Sequence, residues 1–434
     1  MRFFEIGKTF LYLAFRHEPT QLRESLEKLG SVFIKFGQLL SLRPDLIPEE
    51  YCNELFYLLE NVPSFDKEEV DKIFLGEFGK TPDQIFTNFK YAPVGSASFS
   101  QVHEAYLGKQ KVAVKVQRPN IECIVKEDIE IMKFFASIID FFSFSPNKIM
   151  DSVREFEMWT KEELDYLQEA KYTKEFYQRT STTKVPEVYE KYSSNKIITF
   201  EFIEGITISK YLLARRNGDK KLIRRINLDE REVANKLLLS TIKQIYIDGF
   251  FHADPHPANI IYGNDKRIYF IDFGISGRLT KEQRLHHLRY TRSAILRDKD
   301  TTFDELMKFC ETDAITNKEK IRKEHNEIME RMLGSVKNGK RPELGKYLID
   351  TLKLIKKYKL KMPKDRLRYF RAMITLQSVV YEIYPDIELE EVSDKFVSIS
   401  LVNLIESMPE ILKKENLQKS LLSFINAVEK EIAR

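Results

Sequence analysis

The sequence contains little of what disulfide-rich, fibrous or disordered proteins need. Among its 434 residues are only three cysteines, 16 glycines, 15 prolines and one tryptophan. The cysteines, Cys52, Cys123 and Cys310, are far apart and form no C-x-x-C pair, so neither a disulfide framework nor a cysteine-rich zinc site is indicated. With 43% hydrophobic and 12% aromatic residues, the composition is that of a globular protein. Its length is typical of about two or three domains.

The sequence also lacks a hydrophobic run long enough to cross a membrane. The most apolar internal stretch, 131–144, contains Lys133 and Asp140. It falls short of the roughly 18 to 20 apolar residues of a spanning helix. Charged residues also interrupt the apolar N-terminus, and no small-residue cleavage site follows it. We therefore expect neither a signal peptide nor a transmembrane segment.

Charge of one sign is scarce overall but concentrated locally. The 70 basic and 66 acidic residues give a net charge of +4, too balanced to predict a nucleic-acid partner. Segment 331–371 has 14 basic and three acidic residues, a net charge of +11, which leaves −7 for the remainder. Each basic residue near an anionic membrane contributes about 1 kcal/mol of attraction, so this segment is a candidate for peripheral membrane contact. The alternative is an ordinary solvated helix face with Leu348, Leu352 and Ile355 as its buried stripe.

The first half of the chain changes from helical to mixed periodicity. Residues 1–88 have apolar side chains at three- and four-residue spacing, which predicts helices without a strand. Residues 89–205 contain short β-prone runs at 103–106, 111–116 and 196–203. Helical periodicity separates the second run from the third. A helical N-terminal segment is therefore followed by a small mixed segment.

The second half is mostly helical in pattern. Within 206–330, a helix is predicted to begin at Asn227 or Asp229 and to end at Gly249. Two short β runs then flank a Gly-Asn-Asp turn. The last segment, 331–434, is helical and charged.

The chemistry-bearing residues are concentrated in 252–259, H-A-D-P-H-P-A-N, which a D-F-G run follows from Asp272. Phosphoryl transfer from a nucleotide needs an acid that orients or deprotonates the acceptor, ligands for Mg²⁺, and a lysine that anchors the phosphates. Asp254 fits the acid, while Asn259 and Asp272 provide the hard oxygen ligands that Mg²⁺ prefers. Lys115, in the β run V-A-V-K, is the lysine. The order V-A-x-K, H-x-D, N and D-F-G is typical of protein kinases.

Two alternatives apply to the histidine-rich segment. His252, Asp254 and His256 are either ordinary loop residues or, with a further histidine, a two-histidine, one-carboxylate iron site. The iron site leaves Asn259, the D-F-G run and Lys115 without a role. The sequence therefore favours phosphoryl transfer.

One feature of ordinary protein kinases is missing, the G-x-G-x-x-G loop over the phosphates. From Pro93 to Val102 the chain reads P-V-G-S-A-S-F-S-Q-V instead. Because alanine and serine restrict the backbone more than glycine, we predict a stiffer loop. This disfavours an ordinary protein kinase.

Four further motifs carry a resemblance to a known family. They are K-F-G-Q at 35–38, G-S-A-S from Gly95, E-L-D at 163–165, and the H-A-D-P-H-P-A-N segment, in which Ala258 replaces a glycine. In these motifs, and in a C-terminal pattern around Arg371, the chain resembles the UbiB family of atypical protein-kinase-like proteins, which is linked to ubiquinone biosynthesis. The resemblance spans nearly the whole length.

This resemblance implies an α+β, protein-kinase-like two-lobe fold with helical N-terminal and C-terminal extensions. It divides the chain into an extension with the K-x-G-Q motif, an N-lobe, a C-lobe and a second extension, at 1–88, 89–205, 206–330 and 331–434. It also implies that Lys115 pairs with Glu169 and contacts the phosphates. The implied nucleotide-binding positions are Val94, Gly95, Ser96, Ala97, Ser98, Val102, Ala113, Lys115, Glu201, Phe202 and Ile203.

The resemblance further implies that the K-x-G-Q helix lies where a kinase receives its protein substrate. Lys35 and Gln38, with Glu163 and Asp165 of the E-x-D motif, would then line the active site. One alternative, considered without the resemblance, is that the segment around Glu163 is a solvated acidic helix face. Because Gly95 stands where many relatives have alanine, the preference for ATP or ADP does not carry over.

The expected function is that of an atypical kinase or ATPase that binds Mg²⁺ with ATP or ADP. It would support ubiquinone biosynthesis by hydrolysing ATP or by phosphorylating a small or lipid-related acceptor. One alternative is a catalytically weak nucleotide-sensing scaffold for quinone-biosynthesis enzymes. Another is a small-molecule kinase, which shares H-x-D-x-x-x-x-N but does not predict K-x-G-Q. We expect a cytoplasmic protein in peripheral contact with the inner membrane, with lipid or quinone precursors as partners and no nucleic acid.

Overall fold

The computed structural model describes residues 2–15, 18–41, 47–55, 58, 63–142, 149–179, 184–311, 317–337 and 344–387. The chain forms two compact units. The first comprises Met1–Gln178, Val185–Gly205 and Ile271–Ile275, and the second Arg179–Lys184, Ile206–Phe270 and Ser276–Arg434. The four predicted segments stay a prediction. One of their boundaries, between 205 and 206, is also a boundary between the units.

The first unit combines helices with a four-stranded antiparallel sheet of order β1-β2-β3-β4. Its helices are α1 (Arg2–Phe15), α2 (Pro19–Leu29), α3 (Ser31–Ser41), α4 (Glu49–Leu55), α5 (Lys67–Phe78), α6 (Pro82–Ile85), α7 (Ile121–Phe142), α8 (Ile149–Glu163) and α9 (Tyr166–Arg179). Its strands are β1 (Gly95–Ser96), β2 (Ser100–Leu107), β3 (Gln110–Gln117) and β4 (Ile197–Glu201).

The sheet forms where the sequence predicts β runs. Strands β2 and β3 are joined by a tight turn at Gly108, whose φ of 63° suits a residue without a side chain. Val112, Val114 and Val116 alternate on β3 and are fully buried in a core that includes Phe74 of α5. The intervening residues of β3 therefore project to the opposite face, and Lys115 is one of them.

Helix α3, which carries the K-x-G-Q motif, lies in a second core of the first unit. Its apolar residues, including Phe33, Phe36 and Leu40, are buried together with residues of α1, α2, α7 and α8. Gly30, with φ of 92°, separates α2 from α3. The predicted helical periodicity of this segment is thus observed as amphipathic helices around a common core.

The second unit has two small sheets and a set of helices. Strands β5 (Gly205–Thr207), β7 (Ile260–Gly263) and β8 (Ile268–Phe270) form one sheet, and β6 (Phe250–His252) pairs antiparallel with β9 (Ser276–Arg278). The helices are α10 (Ile208–Arg216), α11 (Lys220–Ile226), α12 (Glu230–Lys243), α13 (Lys281–Ile295), α14 (Lys299–Met307), α15 (Lys318–Lys337), α16 (Leu344–Lys357) and α17 (Lys364–Ile383).

Helix α12 resolves the alternative over its start. Asp229 caps it, because its Oδ1 accepts a hydrogen bond from the Glu232 amide at 2.9 Å. Asn227 instead ends α11, with φ of 47°. After Lys243 the helix widens into one π-helical turn, Gln244–Asp248, which the sequence did not predict. Gly249 follows with φ of 66° and ends the helix.

Among the described residues, no helix is long and apolar enough to cross a membrane. The mostly helical pattern predicted for the second half is observed after β9 as α13 to α17. The amphipathic tail predicted after that lies outside the described residues.

Candidate active site

A buried lysine lies between two carboxylates in the first unit. The Nζ atom of Lys115 donates to both carboxylate oxygens of Glu169, each at 2.9 Å, and lies 3.3 Å from Oδ2 of Asp272. The Lys115 side chain is 11% exposed and that of Glu169 only 1%. The ring of Tyr166 lies 5.1 Å from the same Nζ atom. The structure thus brings together three of the predicted site residues.

Burial and charge act in opposite directions on this cluster. Burial lowers the pKa of Lys115, but the charges of Asp272 and Glu169 outweigh it and hold that pKa well above its usual range. Burial also raises the pKa of the Glu169 carboxyl to about 7, against the opposing charge of Lys115. Because one ammonium group donates to both Glu169 oxygens, we assign the pair as a charged lysine and a carboxylate.

The D-F-G segment is fixed against the helix that carries Glu169. The buried ring of Phe273 packs on Phe176 of α9, with 4.5 Å between ring centroids. Asp272 has φ of 62°, a left-handed conformation that is uncommon for a residue with a side chain. Packing of the phenylalanine thus holds the strained aspartate near Lys115.

An ion pair joins the K-x-G-Q motif to the E-x-D motif. Nζ of Lys35 lies 2.7 Å from Oε1 of Glu163, and both side chains are about one-fifth exposed. Gln38 instead donates to the carbonyl of Leu58 at 3.1 Å. Asp165 is exposed, and its Oδ1 accepts a backbone hydrogen bond at the start of α9. The structure therefore pairs Lys35 with one of the two E-x-D acids and makes the other a helix cap.

The loop that replaces the glycine-rich loop is a short hairpin held by an arginine. The amide of Ala97 donates to the carbonyl of Ser100 at 2.8 Å. Directly after β3, Arg118 donates through its guanidinium to Ala97 O at 3.1 Å and to Ser96 Oγ at 2.9 Å. Its amide donates to Phe99 O at 2.9 Å. Arg118 was not predicted as a site residue, and it gives the predicted stiffness a physical cause.

The other predicted nucleotide positions lie on or next to the same sheet. The amide of Val94 donates to the Val102 carbonyl at 2.8 Å, and Ala113 lies on β3. Glu201 ends β4 and precedes Phe202 and Ile203. Gly95 is exposed, whereas Ser98 is fully buried.

In the second unit, hydrogen bonds fix the shape of 252–259. The amide of His252 donates to Oε1 of Gln244 at 3.0 Å, and the amide of Asp254 donates to Nδ1 of His252 at 3.0 Å. Nδ2 of Asn259 donates to the carbonyl of Asp254 at 3.2 Å. Gln244 is completely buried in the π-helical turn. Its only sequence signal was a polar residue within an apolar helical pattern.

The iron-site alternative is wrong for the described part of the chain. Nδ1 of His252 and Nδ1 of His256 each accept a backbone hydrogen bond within the loop. Among the residues that the structure describes, no group of three His, Cys, Asp or Glu side chains is placed to hold a metal ion. These histidines therefore shape the loop.

Asp254 is paired with an arginine from far along the chain. Nη2 of Arg371, on α17, donates to Oδ2 of Asp254 at 2.9 Å. The two side chains are 14% and 18% exposed, respectively. The sequence pointed to Arg371 only as part of a C-terminal pattern, without a role.

The small antiparallel sheets and surrounding helices make this a kinase-like α+β protein with helical extensions, and the predicted fold class is confirmed. Residues 57–305 match the ABC1 atypical kinase-like domain. The chain belongs to this ABC1/UbiB family of atypical kinases, as the motifs predicted.

Two relatives illustrate how far the similarity extends. A Clostridium pasteurianum protein, described as an uncharacterized protein in the hydrogenase 1 5′ region, is 31% identical over 395 residues, which cover 90% of this chain and 72% of that protein. ACTIVITY OF BC1 COMPLEX KINASE 7, a chloroplastic protein of Arabidopsis thaliana, is 35% identical over 269 residues, 61% of this chain and 37% of its own length.

Among solved structures, the chain is similar to Rv3197 of Mycobacterium tuberculosis, described in complex with erythromycin. The TM-score is 0.51 at 20% sequence identity, over 80% of this chain and 87% of that one. At this identity the similarity supports the fold alone.

Proposed function

We propose that the chain binds a magnesium nucleotide, ATP or ADP, and that it hydrolyses ATP or transfers its terminal phosphoryl group to a small or lipid-related acceptor. We place this reaction in support of isoprenoid-quinone synthesis, which the UbiB resemblance implies. The observation that carries the proposal is the cluster of Lys115, Glu169 and Asp272. In protein kinases, the equivalent lysine–glutamate pair and D-F-G aspartate must both be in place for phosphoryl transfer.

Lys115 is suited to anchor nucleotide phosphates. Its ammonium group is buried and held by both oxygens of Glu169 at 2.9 Å, so its position is fixed before a ligand arrives. A preorganised cation in a partly buried site attracts phosphate more strongly than a mobile surface lysine. Glu169 would then set the position of Lys115.

Asp254 is the acidic residue that we propose orients and deprotonates the acceptor. When water is the acceptor, its oxygen forms a bond to the terminal phosphorus as the bond from that phosphorus to the bridging oxygen breaks, and Asp254 takes the water proton. The hydrogen bonds around 252–259 support this role because they fix the backbone on both sides of Asp254.

Asn259 and Asp272 are the proposed ligands of Mg²⁺. Nδ2 of Asn259 is engaged with the Asp254 carbonyl, which directs the amide oxygen, a hard ligand, away from that bond. Asp272 supplies a carboxylate. This donor set fits Mg²⁺, which commonly takes one or two protein oxygens together with substrate phosphates. When bound, the ion neutralises phosphate charge.

The experiment measures Mg²⁺-dependent ATP hydrolysis and nucleotide-induced thermal stabilisation of the same proteins. Asp254→Asn should lower turnover by about 100-fold or more while stabilisation by nucleotide persists. Asp300→Asn, an exposed aspartate of the same unit, is the matched control and should retain turnover. Stabilisation without turnover in the unsubstituted chain would instead support the nucleotide-sensing scaffold. Unchanged turnover in Asp254→Asn contradicts the assigned acid.

We also propose contact with an anionic membrane, through a surface other than the basic segment 331–371. In that segment, Lys353, Lys357 and Arg368 each lie within 3.2 Å of an acidic side chain. Their charge is therefore partly neutralised within the protein. Helix α11, K-K-L-I-R-R-I, differs because its exposed cations have no ion-pair partner among the described residues; they are Lys220, Lys221, Arg224 and Arg225.

Sedimentation with vesicles tests this surface. Replacing the four α11 cations by glutamate should abolish binding to phosphatidylcholine vesicles that contain an anionic phospholipid, since each cation contributes about 1 kcal/mol. The control replaces Lys353 and Lys357 in the same way and should retain binding. Equal binding by both variants, or binding to vesicles without anionic lipid, contradicts the proposed surface.

A further inference from the structure

The partner of Asp254 comes from a helix beyond the part of the chain that matches the family domain. The match ends at residue 305, whereas Arg371 is in the middle of α17. Segment 252–259 itself contains no lysine or arginine. Arg371 brings a positive charge next to the proposed reacting carboxylate, with its Nη2 at 2.9 Å from Oδ2 of Asp254.

Helix α17 is anchored to the turn that shapes the same segment. The hydroxyl of Tyr369 lies 2.9 Å from that of Tyr246 and 2.7 Å from Oγ1 of Thr291. All three side chains are buried. Tyr246 belongs to the π-helical turn whose Gln244 accepts a hydrogen bond from the backbone of 252–259. The π-helical turn therefore contacts both α17, which carries Arg371, and the segment that carries Asp254.

This geometry restricts the Asp254 side chain. The hydrogen bond from Arg371 limits rotation of the carboxylate, and phosphoryl transfer depends strongly on the orientation of its reacting groups. Because both side chains are less than one-fifth exposed, water screens the pair weakly.

We infer that Arg371 is a positioning residue, which holds the Asp254 carboxylate in one orientation for the reaction, and that α17 is part of the catalytic unit. This inference rests on the proposed function, because it requires Asp254 to orient and deprotonate the acceptor. Arg371 acts through Asp254 and has no assigned part in nucleotide binding.

The chain offers a closely matched control, Arg368, three residues earlier on the same helix. Its side chain is 13% exposed, against 14% for Arg371, and its Nη1 lies 3.2 Å from Oδ1 of Asp365. The two arginines are thus about equally buried on α17. Arg371 donates to the proposed reacting carboxylate of Asp254, whereas Arg368 donates to Asp365.

The experiment compares Arg371→Ala, Arg371→Lys and Arg368→Ala by kcat for ATP hydrolysis, nucleotide Kd and Tm. Arg371→Ala should lower kcat by about 100-fold, as expected for a displaced reacting group, with Kd changed by less than about twofold. The kcat of Arg371→Lys should lie between those of the unsubstituted chain and Arg371→Ala, because an ammonium group keeps the charge but lacks the planar guanidinium fork. Added guanidinium ion should restore part of the turnover of Arg371→Ala and none of any loss in Arg368→Ala.

Several results would overturn the inference. Equal losses of kcat and Tm in Arg371→Ala and Arg368→Ala would reduce Arg371 to a structural role. Increased turnover in Arg371→Ala would make the pair an inhibitory restraint. If Arg371→Ala does not fold, Arg371→Lys decides, and turnover equal to that of the unsubstituted chain overturns the inference. Asp254→Asn separates the two claims, because unchanged turnover there contradicts the proposed function itself.

Discussion

At the scale of single residues, the charge of the buried Lys115 side chain can be tested directly by substitution. Removing it by Lys115→Met leaves the Glu169 carboxyl buried without its cation. Burial already raises the pKa of that carboxyl to about 7 with Lys115 present, and without the lysine it must rise further. A carboxyl with a raised folded-state pKa contributes stability that is complete below its unfolded pKa and is lost as pH rises through the folded value.

The cost of Lys115→Met should therefore grow with pH above about 7. Below that pH, ionisation of Glu169 in the unfolded chain lowers the free energy of unfolding with a similar slope in both proteins. Above it, only the free energy of unfolding of the variant continues to fall, by up to about 1.4 kcal/mol per pH unit. Urea unfolding at several pH values between 6 and 9 measures the difference. Lys111→Met, on the same strand but beside more exposed acids, is the control and should show no such trend. A cost for Lys115→Met that is constant with pH contradicts the charged assignment.

The residues that the sequence identified are those whose type and order are set by chemistry. Lys115, Asp254 and Asp272 were identified because phosphoryl transfer needs a lysine and carboxylates in recognisable motifs. Arg118 and Arg371 were not assigned a role, because each acts through a contact that only the fold creates. Arg371 lies 117 positions from Asp254, and no local pattern encodes that distance.

At the scale of elements, the glycine of K-x-G-Q shows why α3 packs as it does. A Cβ atom at Gly37 would lie 2.3 Å from Cδ1 of Leu58 and 2.8 Å from Cδ1 of Leu26, and both leucines are buried. Glycine therefore permits the close approach of α3 to Leu26 and Leu58.

Gly37→Ala should destabilise the protein by about 1 to 3 kcal/mol through overpacking. Gly76→Ala is the control, because Gly76 lies within α5 and a Cβ there meets nothing within 4 Å. It should stabilise the protein by about 0.5 to 1 kcal/mol, since alanine is the better helix former. Chemical denaturation of both variants measures the two changes. The same sign for both would contradict the packing argument.

Elements with clear periodicity were predictable, and the two short β runs around the Gly-Asn-Asp turn are observed as β7 and β8, but β6 and β9 were not predicted. The alternation of valines on β3 predicted a half-buried strand, and Asp229 and Gly249 marked both ends of the helical segment. The three-residue strands β6 and β9 are too short to show alternation, and pairing between them defines them. The π-helical turn has an ordinary helical sequence, so only tertiary structure reveals it.

At the scale of the whole molecule, composition was a poor guide to charge distribution. The net charge of +4 conceals a segment of +11, but several cations of that segment are paired in the folded chain. The sequence did not single out the cations of α11 as a membrane-contact candidate, and they have no ion-pair partner among the described residues. Burial and pairing, which depend on the fold, decide how a basic segment presents its charge.

The family match gives the fold, and contacts within each unit come from helices outside the matched residues. Lys35 precedes the matched residues and Arg371 follows them, yet each is paired with a predicted site residue of its own unit. Within each unit, therefore, a helix outside the match contacts a predicted site residue.

The central claim, that this site holds a magnesium nucleotide, is tested most directly by thermal unfolding with increasing concentrations of Mg²⁺ and ATP or ADP. Tm of the unsubstituted chain should rise with nucleotide concentration, because a ligand that binds only the folded state stabilises it by mass action. The rise should be absent in Asp272→Asn and retained in the Asp300→Asn control. An equal rise of Tm in Asp272→Asn and in the unsubstituted chain would contradict the account.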